Sequence, residues 1–147
     1  MTEWFLKPRV VGLFLFLPTV TILLLAISLT PDPSGMGTHH QLGLNPCSFW
    51  LLFSIPCPMC GMTTTFAHLA HFQVVEALLT QPFGVVLFAL MLVLLVLGGI
   101  DLTTGKGLYK PAFQWFLKRE VVFSRGLVSG LLLGWIYKLW KVGAWPW

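Results

Sequence analysis

Cys47, Cys57 and Cys60 are the chain's three cysteines, and two of them stand at C-x-x-C spacing in the stretch "FSIPCPMCGMTTTF". Thiols so placed support three chemistries. Cys57 and Cys60 furnish half of a tetrahedral metal site, which Cys47 with His68 or His71 would complete. Zinc suits that mixed set, and Cu(I) suits thiolates with Met59 and Met62 beside them. Thiol–disulfide exchange is the second chemistry. A C-x-x-C at a helix start has its thiolate favoured by unpaired amides and the helix dipole. Cys57 would then be the nucleophile and Cys60 the resolving thiol, with Pro58 shaping the turn. The third is a plain Cys57–Cys60 or Cys47–Cys60 disulfide that staples the segment.

The neighbouring polar groups admit ordinary roles as well. His68 and His71 lie three residues apart and share a helix face, where packing or capping is their usual work. His39 and His40 fall in "PDPSGMGTHHQLGLNP", a Gly/Pro-rich loop, and read as a solvated pair. Thr63, Thr64 and Thr65 at the helix start suit capping and local backbone bonding, or with Gln81 the lining of a small polar pocket. Glu76 reads as a solvated acid, with proton handling the sharper alternative if it is buried.

These residues must be positioned by a chain that is 56% apolar and only 10% charged. A soluble domain carries about 25% charged residues, so the composition points to an integral membrane protein. Val10 to Leu29 is a first apolar span. Lys7 and Arg9 precede it, as in a signal peptide, but the run outlasts a signal h-region of about 7–15 residues. Phe83 to Ile100 holds no charge and makes a helix about 27 Å long at 1.5 Å per residue. Val121 to Trp140 is a third span. Its Arg125 and Lys138 are placed to snorkel toward headgroups. Gly126, Gly130 and Gly134 fall on one face, open to a neighbouring helix. Trp135, Tyr137, Trp140, Trp145 and Trp147 form an aromatic group suited to the interface.

Residues 47–72 offer a possible fourth span, and the loop charges decide against it. With three spans and a cytoplasmic N-terminus, Lys7, Arg9, Lys106, Lys110, Lys118 and Arg119 lie inside, leaving Lys138 and Lys141 outside. A fourth span would put the basic 101–120 loop outside, against the positive-inside rule. The stretch from Thr30 to Pro82 has no Lys or Arg, as befits a segment on the far face. The expected architecture is therefore all-α, with three transmembrane helices plus an interfacial or re-entrant segment over 30–82. That segment carries the cysteines and a helix from about 61 to 79. Its apolar content and the prolines Pro56 and Pro58 favour a broken layer.

The stretch "PCSFWLLFSIPCPMCGMTTTFAHL", Pro46 to Leu69, resembles the bacterial membrane family catalogued as domain of unknown function 2752. The family signature C-P-x-C-G-x-T-[RT] is met by Cys57, Pro58, Cys60, Gly61, Thr63 and Thr64. Many members carry Arg where this chain has Thr64. Others are similar in having G-M-T-T and an upstream P-C-x-F, here Pro46, Cys47 and Phe49. The helix after the motif often ends in Gly-Asp and then Asn-Pro, places held here by Phe72-Gln73 and Gln81-Pro82. The resemblance extends over about residues 30–100. It implies a small bacterial inner-membrane protein and supplies no activity; the charge distribution is what puts the cysteines on the periplasmic side.

The net charge of +4 sits beside apolar runs, where topology and anionic headgroups account for it, so lipids and not nucleic acid are the expected contacts. The glycine face adds a membrane-protein partner or a second copy. No carboxylate pair, G-x-S-x-G, phosphate loop or dinucleotide fingerprint occurs. An enzyme here would have to work through thiols or a metal, and a structural or ligand-binding role for the cysteine segment is the reading that precedes it.

Overall fold

A computed structural model describes residues 7–143. Trp145 and Trp147 of the expected interfacial aromatic group lie outside the described residues. Among the described residues the fold is all helical: α1 Pro8–Ser28, a 3-10 helix Thr38–Leu42, α2 Ser48–Phe53, α3 Met62–Ala70, α4 Val74–Thr80, α5 Pro82–Thr104, α6 Tyr109–Lys118 and α7 Glu120–Val142. Three helices, α1, α5 and α7, are long and apolar enough to cross a membrane. α1 and α5 open on prolines, where the missing N–H is no loss. The 47–72 stretch is divided between α2 and α3, each too short to span. The protein is a multi-pass membrane protein.

Two expectations about the connecting segments change. The basic 101–120 stretch is not a plain loop, because α5 runs on to Thr104 and α6 takes up half of it. This helix exposes Phe113, Trp115, Phe116 and Leu117 and places the Arg119 guanidinium 5.7 Å from the Trp115 ring. The single helix expected over 61–79 is two helices. Phe72 adopts a left-handed φ of 61°, the Gln73 N–H reaches the His68 carbonyl at 2.8 Å, and the Phe72 N–H reaches Leu69 at 3.1 Å. This pair of bonds is the Schellman ending of a helix, and α4 restarts two residues later.

The chain forms two compact units. The first comprises the chain up to Leu24 with Ala89–Arg125. In it α1 and α5 approach backbone to backbone: a Cβ on Gly12 would stand 2.6 Å from the Leu102 nitrogen, and one on Gly98 would stand 2.9 Å from the Phe16 nitrogen. Asp101, fully buried, accepts the Leu108 N–H at 2.6 Å and the Tyr109 N–H at 2.8 Å. The carboxylate thus satisfies the orphan amides that open α6.

The second unit comprises Leu25–Phe88 and the chain from Gly126 onward. Its packing centres on the small side chains Ala26, Ala67 and Ala77, with Phe66 edge-on to Phe88 at 5.2 Å. A buried hydroxyl relay ties the 30–46 loop to α3: the Asp32 N–H donates to Thr38 Oγ1, which donates to Thr64 Oγ1 at 2.9 Å. The end of α7 enters the same unit. Trp135 Nε1 donates to the Pro56 carbonyl at 2.7 Å, Tyr137 Oη to Leu79 at 2.9 Å, and Lys141 Nζ also to Leu79. Lys138 does not snorkel: it is 2% exposed, and its Nζ donates to the carbonyls of Gly35 and Thr80. The glycine face of α7 meets its own chain. Cβ atoms on Gly130 and Gly134 would press on Phe83, whereas one on Gly126 would meet nothing within 4 Å.

Candidate functional site

The three cysteines come from two places in the second unit. Cys47 is the N-cap of α2. Cys57 and Cys60 bracket a turn closed by the Cys60 N–H on the Cys57 carbonyl at 3.0 Å. Gly61 follows as the N-cap of α3, at φ +91°. This left-handed conformation is strained for any side-chain-bearing residue. No side chain caps α3, so the threonines do other work than the capping expected of them. Thr64 accepts the relay from Thr38, and Thr63 and Thr64 line the thiol cavity. Thr65 Oγ1 is buried without a partner, as is Gln81 Oε1, while Gln81 Nε2 donates to the Pro58 carbonyl at 3.2 Å.

The sulfurs converge. All three Sγ atoms lie within 4.8 Å of one another. Cys57 Sγ and Cys60 Sγ are 3.1 Å apart, and the Cys57 N–H donates to Cys60 Sγ at 3.2 Å. A disulfide requires about 2.05 Å, and all three thiols are free. Thiolates at 2.3 Å from a tetrahedral ion would be separated by about 3.8 Å, a value inside the observed spread. Burial, reinforced by the bond to the Cys57 thiol, pushes the Cys60 thiol up to about 12. Burial opposes ionisation of Cys47 as well, but the Trp50 amide and the thiols of Cys60 and Cys57 outweigh it and bring this thiol below its ordinary value. The cluster thus pairs one acidic thiol with one that holds its proton tightly.

A cavity of about 220 Å³ opens on the cluster, lined by all three cysteines with Met36, His39 and Met59 among others. A second, of about 240 Å³, shares Met36, His39, Cys47 and Cys60 with it. His39 therefore faces the thiols, although its loop reads as solvated from the sequence. Only the distance in space, carried by the Thr38–Thr64 bond, brings it there. Met62 lines neither cavity. His68 and His71 are engaged elsewhere: His68 Nδ1 pairs with Gln73 Oε1 at 2.6 Å, and His71 Nδ1 donates to the Ala67 carbonyl at 2.8 Å. Neither lines the thiol cavities. Glu76 is exposed, as a solvated acid should be.

Residues 47–95 match the family described as protein of unknown function DUF2752. Through this segment, about a third of the chain, the protein is similar to that family. The DUF2752 match opens at Cys47 and takes in Cys57 and Cys60, so every thiol of the cluster lies within it. α1, His39 and α7 lie outside the matched residues. Neither the curated proteins nor the solved structures hold a significant match to the chain.

Proposed function

We propose that this protein holds a thiolate-seeking metal ion, Zn²⁺ or Cu⁺, on Cys47, Cys57 and Cys60. The observation that carries this reading is the mutual approach of three sulfurs from two separate points of the fold, within 4.8 Å. Three thiolates leave one position of a tetrahedral ion free, and His39 is the nitrogen that lines the same cavity. The charge distribution supports an inner-membrane protein of a bacterium, with the N-terminus cytoplasmic and the thiols on the periplasmic side, in an interfacial or re-entrant layer.

The test is elemental analysis of protein purified gently in detergent. About one zinc or copper per chain is expected, and Cys47→Ser should abolish stoichiometric retention. Native protein with its thiols shown reduced, yet no metal retained or taken up, would refute the reading. The 3.1 Å separation of Cys57 and Cys60 Sγ favours a second reading, a membrane thiol oxidoreductase. Two thiols would pass two electrons and two protons to a partner's disulfide, becoming a disulfide as the partner becomes a dithiol. A Cys57–Cys60 pair unreactive across a dithiothreitol redox titration excludes it.

A further inference from the structure

Among the described residues of the second unit, Lys138 is a buried cation bonded only to main-chain carbonyls. Lys138 is 2% exposed. Its Nζ donates to the Gly35 carbonyl at 3.0 Å and to the Thr80 carbonyl at 3.3 Å. Both acceptors are neutral, and an ammonium has three donors. Asp32 and Glu76 border the neighbouring cavity of about 530 Å³ that Lys138 also lines, but neither bonds to it. Asp32 accepts the Ser34 N–H at 2.8 Å, and Glu76 faces solvent. A buried charge without a partner is costly and is ordinarily paired.

The backbone that follows the thiol motif lies next to this ammonium. Lys138 Nζ is 2.8 Å from where a Cβ of Gly61 would stand, and Gly61 directly follows Cys60. Glycine at 61 thus serves two ends: it turns the chain into α3, and it lets a cation approach beneath the motif.

We infer that Lys138 is the built-in counter-charge of the thiolate centre and supports a monovalent ion there more strongly than a divalent one. This rests on the metal reading above. When three thiols take up Zn²⁺, three S–H bonds give way to three S–Zn bonds, three protons leave, and the centre carries one net negative charge. With Cu⁺ it carries two. Lys138 cancels the first fully and the second by half. Its removal therefore harms both ions, and harms Cu⁺ about twice as much on a logarithmic scale.

The experiment compares native protein with Lys138→Met and Lys138→Gln, the latter keeping an amide donor without the charge. Apparent affinities for Zn²⁺ and Cu⁺ are read at pH 7 by competition with chromophoric chelators. Zn²⁺ affinity should fall about tenfold or more, and Cu⁺ affinity by about the square of that factor. An unchanged affinity overturns the inference, as does an equal loss for both ions, which marks a packing role. Native protein that binds neither ion removes the metal reading itself, and the inference with it. Should neither variant yield folded protein, native chain labelled with ¹⁵N-lysine decides. The slowly exchanging ammonium must shift on Zn²⁺ loading, and a resonance that stays in place overturns the assignment.

Discussion

Replacing Gly61 with alanine tests how the motif is built, without touching a ligand. The backbone there has φ +91° and ψ −2°, a left-handed conformation that costs a residue with a Cβ about 1–2 kcal/mol. The new methyl would stand 2.7 Å from the Gly35 carbonyl oxygen and 2.8 Å from Lys138 Nζ. The ammonium is the end of a flexible side chain, but the carbonyl is backbone and must move with its loop. Forced overpacking of this kind costs about 1–3 kcal/mol. Gly61→Ala should therefore lose about 2–5 kcal/mol in all. The assay is unfolding by SDS titration in mixed micelles, followed by tryptophan fluorescence. Gly126→Ala is the control. Its Cβ meets nothing within 4 Å in a regular helix, so it should gain up to about 1 kcal/mol. If Gly61→Ala stays within about 0.5 kcal/mol of native protein, the close approach of loop, lysine and motif is wrong.

Phe72 is 91% exposed and holds a left-handed φ, so Phe72→Gly should stabilise by about 1 kcal/mol in the same titration. Asp101→Ala removes the acceptor of two amides and should cost about 2–4 kcal/mol, with hydrogen exchange at Leu108 and Tyr109 rising first. Metal uptake must expel the Cys60 proton, held up to about 12 by burial. Apparent log affinity should then climb by at least about one per pH unit from pH 6 to 8, measured by chelator competition. The raised thiol has a second consequence, for metal-free protein. Its contribution to stability is complete below the unfolded thiol's pKa of about 8.5 and is lost as pH rises toward about 12, a decline that SDS titration across that window should show.

The spans were legible because lipid leaves a coarse signal: long apolar runs with few charges, and lysine and arginine gathered in the stretches on one side. The cysteine spacing and the glycine after it marked the motif, and a helix was expected to start at Gly61, which is where α3 is capped. The break at Phe72 was hidden because a phenylalanine occupies the left-handed place that glycine usually takes. α6 was hidden because its mostly apolar run, Ala112 to Leu117, is short and lies between Lys110 and Lys118, a pattern that reads as a basic loop. His39 and Lys138 were misread for a common reason. Each is placed by a long-range bond: His39 lines the thiol cavity beside the Thr38–Thr64 bond, and Lys138 is held by Nζ on the Gly35 carbonyl. No local periodicity encodes such a bond. His68 and His71 satisfied the helical spacing rule, yet their rings found nearer partners on their own segment.

The end of α7 takes hold of the second unit by giving protons only to main-chain oxygens, those of Gly35, Pro56, Leu79 and Thr80. Every residue type owns such an oxygen. The attachment therefore recognises the path of the chain and is blind to its lettering. Mutational tolerance should be lopsided as a result: Leu79 and Thr80 can be exchanged for other residues that keep the same path without breaking a single one of these bonds, whereas Trp135, Tyr137 and Lys138 each carry a donor that no neighbour can replace.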